Sequence, residues 1–187
     1  MNARILPIFA TVFLSAVSAC LGAAPESIKV ECGGVGFLIK SPNADENNTV
    51  TITPSGLGNA GKRITRAVDG AVGEAELADL DGDGTRELLL YIFTPGTGHY
   101  GDVVAYSTNG NKSLSEIVIV PPRKEDLAGY GGRDDWKPVK GGLLRSFPVY
   151  REGDPGAAPR GGMRKLKYTL HKGESSWQLV PPGVSPS

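Results

Sequence analysis

Short stretches of strand-forming residues recur along this chain, and each is broken by Gly, Pro, Asn or Asp before a helix of useful length can form. Candidate strands fall at 28–31, 36–39, 49–53, 63–68, 73–78, 86–93, 102–107, 115–120, 142–150, 164–171 and 177–180. The supply of turn formers, 26 Gly and 14 Pro in 187 residues, suits many short strands and excludes a helical bundle. Within 164–171, Leu166, Tyr168 and Leu170 share one face while Lys165, Lys167 and Thr169 share the other, the period-two pattern of a half-buried antiparallel strand. Leu88-Leu89-Leu90-Tyr91-Ile92-Phe93 is apolar on both faces and is expected to be a central strand. The helical signal is confined to a turn or two at 123–127, after the Pro121-Pro122 break. There is no β-α-β rhythm and no exact internal repeat. The expectation is an all-β fold, an antiparallel β-sandwich or barrel-like sheet of about ten short strands. It forms one domain over 25–180, with a flexible tail at 181–187.

The first two dozen residues read as an export signal. Arg4 supplies a positive start, and 5–17 is a nearly unbroken apolar run too short to span a bilayer. Two readings of its end stay open. Val17-Ser18-Ala19-Cys20 resembles a bacterial lipobox, in which Cys20 is lipidated and becomes the new N-terminus; alternatively, Gly22 and Ala24 are small enough for ordinary cleavage after Ala24. Either way the expected location is the periplasm or the outer membrane, and contact with a membrane is expected only through a lipid on Cys20. If Cys20 is lipidated or discarded, Cys32 is a lone thiol on the first strand, read as a small apolar residue beside Gly33 and Gly34; if Cys20 is retained without lipid, a Cys20–Cys32 disulfide is open to it. Two Cys and two His offer no zinc spacing.

Twenty basic side chains balance twenty acidic ones, so nothing favours nucleic acid as a partner. The balance hides an asymmetry. From Leu21 to Tyr100 there are 11 acidic and 6 basic side chains, and from Lys137 to Ser187 there are 3 and 9. Such a distribution can steer a charged macromolecule.

The sharpest chemical pattern is 79–87. Asp79, Asp81, Asp83 and Glu87 occupy loop positions one, three, five and nine, with Gly84 at position six. Alternate carboxylates in a tight loop aim their oxygens at one point, the glycine permits the turn, and the Thr85 carbonyl at position seven can add a ligand. A hard cation, Ca²⁺ in a structural role, offsets that much like charge. Leu90 stands where a helical EF-hand carries its bidentate glutamate, so this is a hairpin version of the loop, and it resembles the calcium loops of FG-GAP and related β-propeller repeats. Such repeats occur several times in a chain, whereas here there is one copy. The competing reading is a metal-free turn whose aspartates cap their own backbone amides.

One strand later, Thr94-Pro95-Gly96-Thr97-Gly98-His99-Tyr100-Gly101-Asp102 gathers glycines around a hydroxyl, an imidazole and a phenol. The pattern suits a binding tip, since glycine supplies access and Tyr supplies amphipathic contact area. Without a nucleophile elbow, a partner cysteine or an HExxH context, His99 carries no catalytic signature. A flexible hairpin with Tyr100 packed back on the sheet explains the same residues.

From the acidic loop through Leu88–Phe93 to Thr97-Gly98-His99-Tyr100, the chain resembles the periplasmic inhibitors of invertebrate-type lysozyme. That family carries an acidic turn before an S-G-x-Y-type loop that enters the lysozyme cleft. Thr97 stands where the family has serine, keeping the hydroxyl and adding a methyl, while Gly98 and Tyr100 match and His99 fills the free position. The resemblance spans roughly 72–107. It implies a lysozyme as partner, Thr97, Gly98, His99 and Tyr100 as contact residues, and no enzymatic activity. A strand-loop-strand at 147–162 looks like the C-terminal part of secreted relatives of these inhibitors, with no role assigned to its loop.

Three functions are therefore open: a lysozyme inhibitor, a calcium-stabilised FG-GAP- or VCBS-like envelope domain that binds a protein or glycan, and a cell-wall hydrolase using paired carboxylates such as Glu74 and Glu76. Those two glutamates are more simply a solvated strand edge, which places the enzyme reading last. The lipobox carries its own test. If Cys20 is lipidated, the wild-type protein partitions into detergent with the membrane fraction, and Cys20→Ser releases it or leaves it unprocessed. A fully soluble protein beginning at Pro25 contradicts the anchor.

Overall fold

A computed structural model describes residues 27–44, 46–58, 62–94 and 101–186. The fold is all-β, with twelve strands in two sheets among the described residues. A four-stranded antiparallel sheet runs in chain order through β1 (Ser27–Cys32), β2 (Val35–Lys40), β3 (Thr49–Ser55) and β4 (Ile64–Ala67). The remaining strands are β5 (Ala71–Ala78), β6 (Glu87–Phe93), β7 (Gly101–Ser107), β8 (Ser115–Ile119), β9 (Asp135–Val139), β10 (Gly142–Pro148), β11 (Met163–Lys172) and β12 (Trp177–Val180). They form one sheet in the order β5-β6-β7-β8-β12-β11-β10-β9. This second sheet curls so far that it is nearly a closed barrel, with the indole Nε1 of Trp136 on β9 donating to the Gly101 carbonyl on β7 at 3.2 Å.

Strand β6 explains how the sheets share one body. Leu88, Leu90 and Ile92 pack with Phe37, Ile39, Val50 and Ile52 of the four-stranded sheet. Leu89 and Tyr91 point the other way, among Leu143, Phe147, Tyr168 and Leu179 inside the curled sheet. Leu88, Leu89 and Leu90 are all 0% exposed. Each such leucine contributes about 1.5–3 kcal/mol by leaving water, so the central-strand expectation has an energetic basis on both faces. β11 alternates as expected, with Leu166 and Tyr168 buried between exposed Lys165, Lys167 and Thr169.

Three features depart from the sequence expectation. Strand β9 lies outside every candidate stretch because Lys137 and Pro138 interrupt its apolar pattern. As the last strand of the sheet it pairs only with β10, and proline is tolerated where no second ladder needs its N–H. The sheet is also not wholly antiparallel, because β12 runs parallel to β8 between Trp177↔Ile117 and Leu179↔Ile119. The helical signal at 123–127 is a single 3-10 turn, Lys124–Leu127. Cys32 is exposed, not packed as a small apolar residue, because Gly33 and Gly34 turn the chain immediately after it with φ of +61° and +82°.

Sharing β6 makes the two cores one cooperative unit. Leu90→Ala, on the face toward the four-stranded sheet, and Leu89→Ala, on the other, are each expected to cost about 2–5 kcal/mol. Both variants should still unfold in one transition by calorimetry. Two separated transitions in Leu90→Ala would show that the small sheet melts independently.

Candidate functional site

The two loops singled out by the sequence lie at opposite ends of β6. Residues 79–86 join β5 to β6, and 94–100 join β6 to β7, whose pairing starts at Phe93↔Gly101. Seven residues of strand separate these ends, roughly 20 Å at about 3.3 Å per residue.

At the acidic end the loop is wound on its own carboxylates. Asp79 accepts from the amides of Gly82 at 2.6 Å and Gly84 at 3.1 Å, and Asp81 accepts from the amide of Asp83 at 3.1 Å. Gly82 sits at φ +83°, a conformation in which a side chain would be strained. The structure brings together three of the five expected ligand residues: one oxygen each of Asp79, Asp81 and Glu87 lie within 4.8 Å of one another. Asp83 is engaged elsewhere, its Oδ1 accepting from both the amide and the hydroxyl of Thr85, at 2.6 and 2.7 Å. Three carboxylates at this spacing can hold a hard divalent cation through oxygen, with water and a main-chain carbonyl completing the shell.

Glu87 is the unusual member. It is 2% exposed and its Oε2 accepts from the Leu80 amide at 3.0 Å, tying the loop to the core beside the fully buried Leu80. Burial pushes its carboxyl up to about 7, assisted by repulsion from Asp81, Asp83 and Asp79 and opposed by the Leu80 amide. The spacing pointed to Glu87 as a ligand, but its burial depends on the strand that follows.

At the other end, the expected contact residues Thr97, Gly98, His99 and Tyr100 lie outside the described residues, as does the expected lipidation site Cys20. The base from which that loop springs is described. The Gly101 amide donates to Asp134 Oδ2 at 3.4 Å, and its carbonyl accepts from Trp136 at 3.2 Å. Asp134 has a fully buried side chain, paired to Arg145 Nε at 2.7 Å and accepting a hydrogen bond from the Tyr130 hydroxyl. Arg145 in turn lies 5.0–5.3 Å from the ring centroids of Tyr130, Trp136 and Phe147. Sequence reasoning missed this clamp. Its members are single residues 29 to 44 positions beyond Gly101, with no motif spacing, and the curl of the sheet unites them.

The glutamate pair on β5 flanks Tyr91, which feels the charge of both carboxylates. Glu74 is exposed, whereas Glu76 accepts a hydrogen bond from the Tyr91 hydroxyl, whose pKa is raised by burial and then by that carboxylate. Comparison with protein-family models, with curated proteins and with solved structures finds no match to this chain.

The acidic loop generates a pH-dependent expectation. Without metal, a Glu87 pKa raised from 4.5 to about 7 means that the folded state holds a proton the unfolded chain has lost. That contribution is full below the unfolded value and disappears as pH rises through about 7, so chelator-treated protein should melt lower at pH 8 than at pH 5.5. Calcium at a hundredfold excess over its Kd should contribute about 2.7 kcal/mol, or about 5–10 °C in Tm, at pH 8. Asp81→Ala should abolish the calcium increment while leaving a folded sheet. Glu87→Gln should raise the chelator-treated Tm at pH 8. Coincident melts with calcium and with chelator would identify the loop as a metal-free turn.

Proposed function

We propose that this is an exported envelope protein that inhibits a lysozyme of invertebrate type by inserting the tip around Thr97–Tyr100 into the enzyme's cleft. The observation that supports it best is the anchoring of the tip. The flanking strands β6 and β7 are largely buried, and both backbone polar groups of Gly101 are held by the buried Asp134 and by Trp136. Fixed strand ends on either side of a binding loop lower the ordering cost of docking, which favours affinity. A lysozyme cleft carries a carboxylic acid and a carboxylate on either side of the scissile bond. The Thr97 hydroxyl, His99 imidazole, Tyr100 phenol and glycine amides are donors suited to both. Glu74, Asp102 and Asp135 lie beside the tip's base and favour a cationic enzyme surface around the cleft.

Calcium enters this reading as a stabiliser. Its proposed ligands Asp79, Asp81 and Glu87 sit at the far end of β6, so the ion firms the hairpin without touching the partner. The same cluster favours a second reading, a calcium-stabilised FG-GAP-like domain that binds another protein or a glycan.

Turbidity assays of cell walls separate these functions. The wild-type protein should protect walls from added invertebrate-type lysozyme, and chicken- and goose-type enzymes define its range; an enzyme would clear the walls unaided. Tyr100→Ala should weaken inhibition by about 2 kcal/mol or more, as loss of a buried aromatic anchor does. Thr97→Ala should cost less, and Thr97→Ser should be neutral or improve binding. Failure to inhibit any lysozyme at micromolar concentration removes the inhibitor reading and leaves the binding module. Undiminished inhibition by folded Tyr100→Ala would place the contact elsewhere.

A further inference from the structure

The curled sheet has a gap in its wall. Strands β7 and β8 pair from Ser107↔Ser115 to Ala105↔Ile117 and then part, because β8 turns to run beside β12 and the Val120 amide donates to Leu179 at 2.9 Å. Between the diverging strands opens a cavity of about 400 Å³, within the range of small-molecule sites. Its lining is mixed: Val103, Ala105, Ile117 and Ile119 give it apolar wall, and Asp102 and Glu116 bring carboxylates. Its polar groups include two from the strands across the barrel, Tyr168 and Arg145.

These two groups are unusual in what they lack or have to spare. Tyr168 is 1% exposed, and its hydroxyl is buried without a hydrogen-bond partner. Leaving such a group unmatched is costly, so its presence calls for an acceptor. Burial raises the Tyr168 pKa, and Arg145 opposes that rise first as a donor directed at the phenol oxygen and then by charge, so what the hydroxyl lacks is an acceptor for its own proton. Arg145 is 12% exposed and has Nε committed to Asp134. The guanidinium also faces the hydroxyls of Tyr130 and Tyr168, and a ligand acceptor would share its remaining donors with those phenols. Asp134 is itself supplied with donors from Tyr130 and Gly101 in addition to Arg145, so a second acceptor on the guanidinium does not strip it of partners. At the mouth, Arg66 adds a second cation, paired with Glu116 at 2.6 Å.

We infer that the gap between β7 and β8 is a binding site for a small carboxylate with an apolar body, its carboxyl group held by Arg145 Nη and Tyr168 Oη. The planar guanidinium fork matches a carboxylate in shape and charge, and the phenol supplies a third donor. The valine, alanine and isoleucine walls take the hydrocarbon portion, which neither a free inorganic anion nor a sugar would use. The site shares Gly101, Trp136 and Arg145 with the base of the tip, but its ligand chemistry does not rest on the proposed lysozyme contact.

Trp136 lines the cavity, and the chain's other tryptophan, Trp177, does not. Trp136 emission in a Trp177→Phe background therefore reports on the site. Sodium hexanoate should change that emission saturably at millimolar concentration or below, and hexan-1-ol, with the same apolar body, should bind at least about tenfold more weakly. Hexanoate should also raise the Tm of the unmodified protein. Tyr168→Phe gives effects of opposite sign: removing an unmatched hydroxyl should leave the ligand-free Tm unchanged or higher, while hexanoate binding weakens about tenfold. No saturable response to hexanoate by emission or Tm overturns the proposal. So does equal binding of hexan-1-ol, which indicates an apolar cavity alone, and so does undiminished hexanoate binding by Tyr168→Phe.

Discussion

Everything in this fold hangs on one strand that has no solvent face. β6 buries Leu88, Leu90 and Ile92 toward the small sheet and Leu89 and Tyr91 toward the interior of the curled one. A strand of this kind cannot slip by one residue without exchanging its two apolar sets between cores of different shape, so its register fixes that of both neighbours. Pairing with β5 and β7 then determines where the chain turns at either end. The acidic loop and the glycine-rich loop are placed by the strand between them as much as by their own residues.

Glu87 shows how the acidic loop and the core depend on each other. It is the first residue of β6, buried as deeply as the leucines after it, and its carboxylate holds the Leu80 amide. A carboxyl group kept there beside Asp79 and Asp81 must either take up a proton or share a cation. Both outcomes relieve the same electrostatic problem, which is why the loop's chemistry feeds into the stability of the whole hairpin. At the opposite end, Asp134 solves a similar problem differently, since Arg145, Tyr130 and the Gly101 amide supply its counter-charge and donors from within the protein.

Local pattern carried most of the fold. The two-faced run at Leu88–Phe93, the alternation from Leu166 to Leu170 and the turn formers between strands were legible because they depend on neighbours in sequence. β9 was not, since Lys137 and Pro138 are acceptable only on an edge, and an edge is a property of the assembled sheet. The parallel pairing of β8 with β12 joins segments about sixty residues apart, and no local periodicity marks it. The same holds for the site. Asp79, Asp81 and Glu87 were readable from spacing, and the local engagement of Asp83 by Thr85 fits the capping turn, whereas the clamp on Gly101 and the unmatched Tyr168 hydroxyl arise from which strands meet.

The most direct test of β6 as the spine is native-state amide hydrogen exchange, read residue by residue and compared with the global stability from denaturant unfolding. Amides of Leu88 to Ile92 should exchange only through global unfolding, with an opening free energy equal to the equilibrium value, while both sheets lose their slowest protection together. Exchange of β6 through a lower-energy opening, with either sheet still protected, would contradict the account.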